Sequence, residues 1–125
     1  MRLLLDTHVL IWAVAEPERI PAPLRNTIAD GGTDVLVSTA SAWEIAIKTS
    51  LGRLELAPVD DELLARFRFR HYPIALRHAA ALAELPRHHH DPFDRMLVCQ
   101  ALVDDLALAS ADPALGAYGV DLRWG

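Results

Sequence analysis

Arg2-Leu3-Leu4-Leu5-Asp6-Thr7-His8-Val9-Leu10-Ile11-Trp12 reads as a short buried strand that stops on an acid and turns straight into a helix. The apolar run is too short for a helix and does not alternate, the pattern of a strand covered on both faces. The helical spacing continues to Val14 and is broken by Glu16-Pro17 and Pro21-Ala22-Pro23.

The same strand-to-helix sequence recurs along the chain. A helix is expected from about Pro23 to Ala29, with proline in its first turn and Gly31-Gly32 closing it. Asp34–Val37 is a second apolar strand. The next helix spans about Ala40 to Ser50; Trp43, Ala46, Ile47 and Leu51 share one face, and Gly52 follows as a C-terminal glycine. Another helix is expected from about Asp60 to Arg70, with Leu63, Leu64 and Phe67 inward. Tyr72-Pro73-Ile74 is briefly extended, residues 75–84 form an alanine-rich helix, and Leu85–His90 is a loop. Asp91-Pro92 opens a helix to about Val103, Leu106–Ala109 is a strand, Asp112-Pro113 starts a helical turn, and Val120–Trp124 is the last strand. Strands alternating with helices predict a single α/β domain over residues 1–125, with a central parallel sheet of about five strands flanked by helices.

The composition is consistent with this. A chain of 125 residues with 52% apolar and 23% charged residues has enough core to fold without staples and is not disordered. No apolar run reaches the ~18 residues of a membrane span, and no leader is read at the N-terminus. The lone cysteine, Cys99, is expected to be a small buried residue in a cytoplasmic protein. The net charge is −5, against the basic balance usual for a nucleic-acid binder.

Much of that acidity sits in four residues, Asp6, Glu44, Asp94 and Asp112, whose removal would bring the net charge from −5 to −1. Each taken alone fits a structural role. Asp6, Asp91 and Asp112 fit helix caps, and Ser41-Ala42-Trp43-Glu44 fits a capping box with Glu44 at its third helical position. Glu44 also stands four residues before Lys48, the favourable order for a helical ion pair. In a parallel sheet, however, strand C-termini and the helix N-termini that follow them line one edge, where ligands bind. Four carboxylates converging there would repel one another, and divalent cations would relieve the repulsion.

Three further stretches complete a pattern. Ser41-Ala42-Trp43-Glu44-Ile45-Ala46-Ile47-Lys48, His90-Asp91-Pro92-Phe93-Asp94-Arg95-Met96-Leu97-Val98-Cys99-Gln100-Ala101 and Leu108-Ala109-Ser110-Ala111-Asp112 follow the opening Leu4-Leu5-Asp6 in order. Together they resemble the four acidic motifs of PIN-domain nucleases, and among those the VapC-type toxins of type II toxin–antitoxin pairs. The resemblance implies a PIN fold and an endoribonuclease dependent on Mg²⁺ or Mn²⁺. It also implies inhibition by a cognate antitoxin, an RNA substrate and a homodimer. Carried over by position, the metal-binding and catalytic set is Asp6, Glu44, Asp94 and Asp112. Asp91 is a helix cap first and a metal neighbour second, Ser110 orients Asp112 or a metal-bound water, and Arg95 is the leading phosphate contact.

Other residues carry weaker expectations. His88-His89-His90 could bind a transition metal or contact RNA but is read first as a solvated loop beside the active helix; His8 could face the cleft but is read first as a helix-surface residue; Trp12 and Trp43 could stack bases but are read first as core. Arg66, Arg68, Arg70 and Arg77 form either a basic patch for RNA phosphates or a solvated surface, with Arg66 and Arg70 sharing a helix face. A haloacid-dehalogenase-type domain would want a second aspartate where this chain has His8. A response-regulator receiver would want a lysine after its fifth strand, and the only lysine is Lys48. The alternative that stands is a non-catalytic PIN-fold module that binds protein or RNA.

Overall fold

The computed structural model describes residues 1–125 and shows one five-stranded, all-parallel sheet in the order β3-β2-β1-β4-β5. The strands are β1 (Arg2–Leu5), β2 (Asp34–Ser38), β3 (Arg70–Tyr72), β4 (Ala107–Ala109) and β5 (Asp121–Arg123). The helices are α1 (Thr7–Ala15), α2 (Ala22–Ala29), α3 (Thr39–Ser50), α4 (Asp61–Phe67), α5 (Leu76–Leu82) and α6 (Pro92–Val103). Short 3₁₀ turns occupy Pro17–Arg19 and Pro113–Tyr118. The expected strand–helix alternation is thus present, with the fold class as expected. No helix is long and apolar enough to cross a membrane.

β1 lies at the centre because it is apolar on both faces. Leu3 and Leu5 project into one core layer with Val35, Val37, Ala107 and Ala109, beside Val9 and Leu10 of α1 and Leu24 of α2. Leu4 projects into the opposite layer with Leu36 and Leu108, against Leu97, Val98 and Ala101 of α6. The two-residue strand period divides consecutive leucines between two cores. Register pairs Leu4 with Leu36 on one side and with Leu108 on the other. Cys99 is buried, as expected.

Three sequence expectations fail locally. The helix expected to reach Arg70 ends at Phe67: Arg68 adopts a left-handed conformation (φ 60°), and Phe69 is drawn into the core, its amide donating to Leu64. Arg70 consequently lies in β3, beside Asp34 rather than on a helix face with Arg66. The face of α3 expected to pack inward is exposed. Trp43 is 61% and Leu51 59% accessible, whereas Ala40, Ser41, Glu44 and Ile45 are buried. The burial follows the line of α3 that meets α1 and α6, and that line is partly polar.

A polar staple, not anticipated from the sequence, closes the end of α6. His78 is fully buried; its Nδ1 accepts the Ala75 amide, so Nε2 carries the proton and donates to Asp104 Oδ2 at 2.7 Å. Tyr72 donates its hydroxyl to the same oxygen, and Arg77 clamps both carboxylate oxygens at 2.9 Å. Arg2 donates to the Asp104 carbonyl at 2.7 Å. One residue therefore ties β1, β3, α5 and α6 together. The Arg77 guanidinium, above all, holds the Asp104 carboxyl well below the usual carboxylate range.

Asp104→Ala is expected to destabilise the fold by about 2 kcal/mol at neutral pH, since buried donors lose their acceptor. With its carboxyl held below the ordinary value of 3.8, Asp104 stabilises fully above that value, and the contribution fades as pH falls below it. Urea unfolding should therefore show a gap between wild type and variant at neutral pH that narrows in acid. Equal midpoints at neutral pH would show that the staple contributes nothing.

Candidate active site

Because every strand runs the same way, the C-terminal ends of β1, β2 and β4 share one edge of the sheet. Asp6 follows β1, and its own amide continues the ladder by donating to Ala109 of β4 at 3.0 Å. Asp112 follows β4, positioned by Ser110, whose hydroxyl accepts the Asp112 amide at 3.1 Å. Asp94 lies in the first turn of α6, behind the cap formed by Asp91 and the helix-starting Pro92. Asp6, Asp91, Asp94 and Asp112 line a single open cleft of about 520 Å³.

Capping and convergence coexist, because each cap uses one oxygen. Asp6 Oδ1 accepts from Val9, Asp91 Oδ1 from Phe93 and Asp94, and Asp112 Oδ1 from Ala114. Those bonds satisfy helix amides that otherwise lack partners, fix the side chains, and set negative charge against the positive helix ends. Ser110 is buried and hydrogen-bonds the Asp6 side chain.

Glu44 is placed differently from the expected capping box. α3 is capped by Ser38, so Glu44 is the sixth helical residue rather than the third. Ser41 is inside the helix, where its hydroxyl accepts from Thr7 at 3.1 Å. Glu44 is only 5% exposed. Its Oε2 takes the Lys48 ammonium at 2.8 Å, as the i,i+4 spacing suggested, while Oε1 is buried with no hydrogen-bond partner. Glu44 does not itself line the cleft, but its charge acts on Asp94.

The electrostatics are strained. Burial pushes the Asp6 carboxyl above its ordinary value; the Ser110 and Val9 hydrogen bonds oppose this, and the Asp94 charge adds to it. Burial likewise raises Asp94, opposed by the His89 hydrogen bond and reinforced by Asp91 and Glu44. Partly buried carboxylates that repel one another, with an orphaned carboxylate oxygen beside them, form a donor set suited to a hard divalent cation.

Several cleft residues were read differently in the sequence. His89 does not sit in a merely solvated loop: its Nε2 lies 2.9 Å from Asp94 Oδ2 and 3.8 Å from Asp112 Oδ2. His8 is exposed on α1 and Trp12 packs partly buried against the core, as expected, and both also line the cleft, one helical turn apart. Arg19 also lines the cleft, its guanidinium 4.6 Å from the centre of the Trp12 ring and its Nη1 3.1 Å from Glu16. Nothing in its sequence surroundings marked it. Arg95 is turned elsewhere: its Nη2 donates to the Leu85 carbonyl at 3.0 Å, and it does not line the cleft. Of the two readings of the arginines, the basic patch is divided, since Arg77 is engaged by Asp104 and Arg70 faces Asp34.

A PIN-domain family model matches residues 3–120. Among solved structures, the chain is similar to one of VapBC2 from Rickettsia felis bound to a promoter DNA fragment. That match has a TM-score of 0.75 and 13% identity over 100% of both chains. It is also similar to FitAcB from Neisseria gonorrhoeae, with a TM-score of 0.66 and 21% identity over 96% of this chain and 95% of that one. VapBC-1 from nontypeable Haemophilus influenzae matches with a TM-score of 0.65 and 15% identity, over 100% of this chain and 97% of that one. At these identities the likeness to the solved structures is one of fold. No curated protein matches the sequence significantly.

Asp6→Asn keeps a good cap and removes the charge. Because the folded state holds the Asp6 carboxyl above its ordinary value, ionisation costs nothing below 3.8, costs progressively more as pH rises towards the raised value, and costs its full amount above it. In chelator-treated protein the variant should melt above wild type at pH 7 and level with it near pH 3. Melting below wild type at pH 7 would mean that the metal-free fold stabilises the carboxylate.

Proposed function

The chain belongs to the PIN-domain family, and on that premise we propose that it is a metal-dependent endoribonuclease, the toxin of a type II toxin–antitoxin pair. The observation that carries this reading is the convergence of Asp6, Asp94 and Asp112, from three separate parts of the chain, in one cleft. Asp6, Glu44, Asp94 and Asp112 are the residues proposed to hold Mg²⁺ or Mn²⁺. When bound, the ion supplies a nucleophilic water near neutral pH and offsets negative charge on the phosphodiester.

The chain's own residues account for substrate placement. Arg19 presents a guanidinium at the wall of the cleft that the acids also line, suited to a phosphate oxygen. Its stacking on Trp12 and ion pair with Glu16 fix its direction. Trp12 and His8 offer flat faces to an unpaired base, with Trp124 packed 5.7 Å from Trp12 to hold it. Ser110 is proposed to orient Asp6 and Asp112, and Asp91 to fix the start of α6. Arg95 is reassigned from phosphate contact to anchor of the loop before α6.

The protein partners in this reading are a cognate antitoxin that covers the cleft and a second copy of the chain. Two of the similar structures are of VapBC2 and FitAB with bound DNA fragments. Trp43, Ile47 and Leu51 form an exposed apolar ridge on α3, surface of the kind that a protein partner covers.

The test is cleavage of total cellular RNA by antitoxin-free protein in Mg²⁺, Mn²⁺ or EDTA. Discrete, metal-dependent products are expected, with Asp6→Asn and Asp94→Asn reducing the rate by about 100-fold or more in folded protein. Cleavage that ignores both EDTA and the substitutions would refute it, and failure to bind either ion would favour the non-catalytic module. A separate expectation concerns Arg19→Ala: KM should rise by about tenfold with kcat little changed, as for loss of one phosphate contact made equally in ground and transition states.

A further inference from the structure

Beyond the four acids, we propose that His89 is a nitrogen ligand of the metal centre, making it a mixed imidazole–carboxylate site that prefers first-row transition ions to Mg²⁺. The proposal deepens the reading of the cleft as a metal centre and rests on it.

The first observation is geometric. One ligand atom each from His89, Asp94 and Asp112 lies within 4.8 Å of the other two. His89 Nε2 is 2.9 Å from Asp94 Oδ2 and 3.8 Å from Asp112 Oδ2. Donors bound at about 2.0–2.1 Å to one small divalent ion stand roughly 3–4 Å apart, so this spacing suits a shared ion.

The second observation is independent of the histidine. Glu44 Oε1 is buried without a partner, and its charge bears on Asp94. A His89–Asp94 contact alone leaves that oxygen unsatisfied and Asp112 only loosely engaged. A cation seated among His89, Asp94 and Asp112 would engage Asp112 and offset the negative charge that Glu44 adds at Asp94.

His89 is also held in place. His88 packs the edge of its ring on Tyr118, with centroids 5.1 Å apart, on one side of His89. On the other, Asp91 caps α6, while Arg95 ties the start of the loop, ahead of His88, through the Leu85 carbonyl. The histidine side chain is three-quarters buried.

The donor chemistry sets the preference. Carboxylates and water suit Mg²⁺, whereas imidazole adds affinity for first-row transition ions, rising from Mn²⁺ through Co²⁺ to Ni²⁺, and for Zn²⁺. A site with one imidazole among carboxylates still accepts Mg²⁺ but ranks it behind the transition ions.

The decisive measurement is pulsed electron paramagnetic resonance on Mn²⁺-loaded, full-length protein, alongside calorimetric titration of Mn²⁺ and Mg²⁺. Wild type is expected to show ¹⁴N coupling from a directly bound imidazole and to bind Mn²⁺ at least about tenfold more tightly than Mg²⁺. His89→Ala should lose the coupling and most of the preference, whereas His88→Ala should keep both. His89→Gln keeps a hydrogen-bonding side chain but no imidazole. If it retained the wild-type preference, His89 would be only a hydrogen-bond partner and the proposal would fail. Bound Mn²⁺ without ¹⁴N coupling would also overturn the histidine assignment, yet leave the carboxylate centre standing. No Mn²⁺ binding by folded wild type would overturn both.

Discussion

The burial of neighbouring carboxylates at one edge of the sheet is the constraint around which this domain is organised. A parallel sheet brings the ends of its strands, and the starts of its helices, to the same edge. Asp6 and Asp112 occupy two such junctions and Asp94 a neighbouring helix start. Helix amides and dipoles offset part of the charge, and Lys48 and His89 offset more. Asp6 and Asp94 nevertheless remain raised, so the protein scaffold alone does not balance what it assembles.

The Asp104 staple gives the sheet a second fixed point, at the far end of α6 from Asp94. α6 begins with the Asp91 cap and ends in a carboxylate clamped by α5 and β3. A helix pinned at both ends and packed through Leu97, Val98 and Ala101 has little freedom to withdraw Asp94 from the cleft. Rigid support of this kind is what a site of closely spaced like charges requires.

Sequence and structure agree where the physical signal is local. β1, β2 and β4 were legible because uninterrupted apolar runs bounded by polar residues have few other solutions, and Asp6, Asp91 and Asp112 because caps sit at fixed offsets from helix starts. Disagreement arises where tertiary contacts choose between equivalent local options. α3 has an apolar line through Trp43, Ile47 and Leu51 and a mixed line through Ala40, Ser41, Glu44 and Ile45, and the fold buries the mixed one. Periodicity rewards the apolar line and has no means of representing a buried site or a surface reserved for a partner. The placement of Arg19 was likewise invisible, because it depends on how an irregular connection returns to the cleft, whereas the histidine run could be set beside α6 but not its member that faces the acids.

The shift of the α3 cap from Ser41 to Ser38 has chemical consequences beyond its three residues. At the third helical position a glutamate can accept a free backbone amide, which would spend its charge on the helix. At the sixth position the surrounding amides are already committed to carbonyls one turn back, so the backbone offers Glu44 nothing. Lys48 takes one oxygen and the other is left bare in the interior. A buried acceptor without a donor is costly unless something outside the polypeptide completes it. The same serine-to-glutamate spacing that suggests a cap in the sequence therefore becomes, three residues further into the helix, a buried, half-satisfied carboxylate whose charge bears on Asp94.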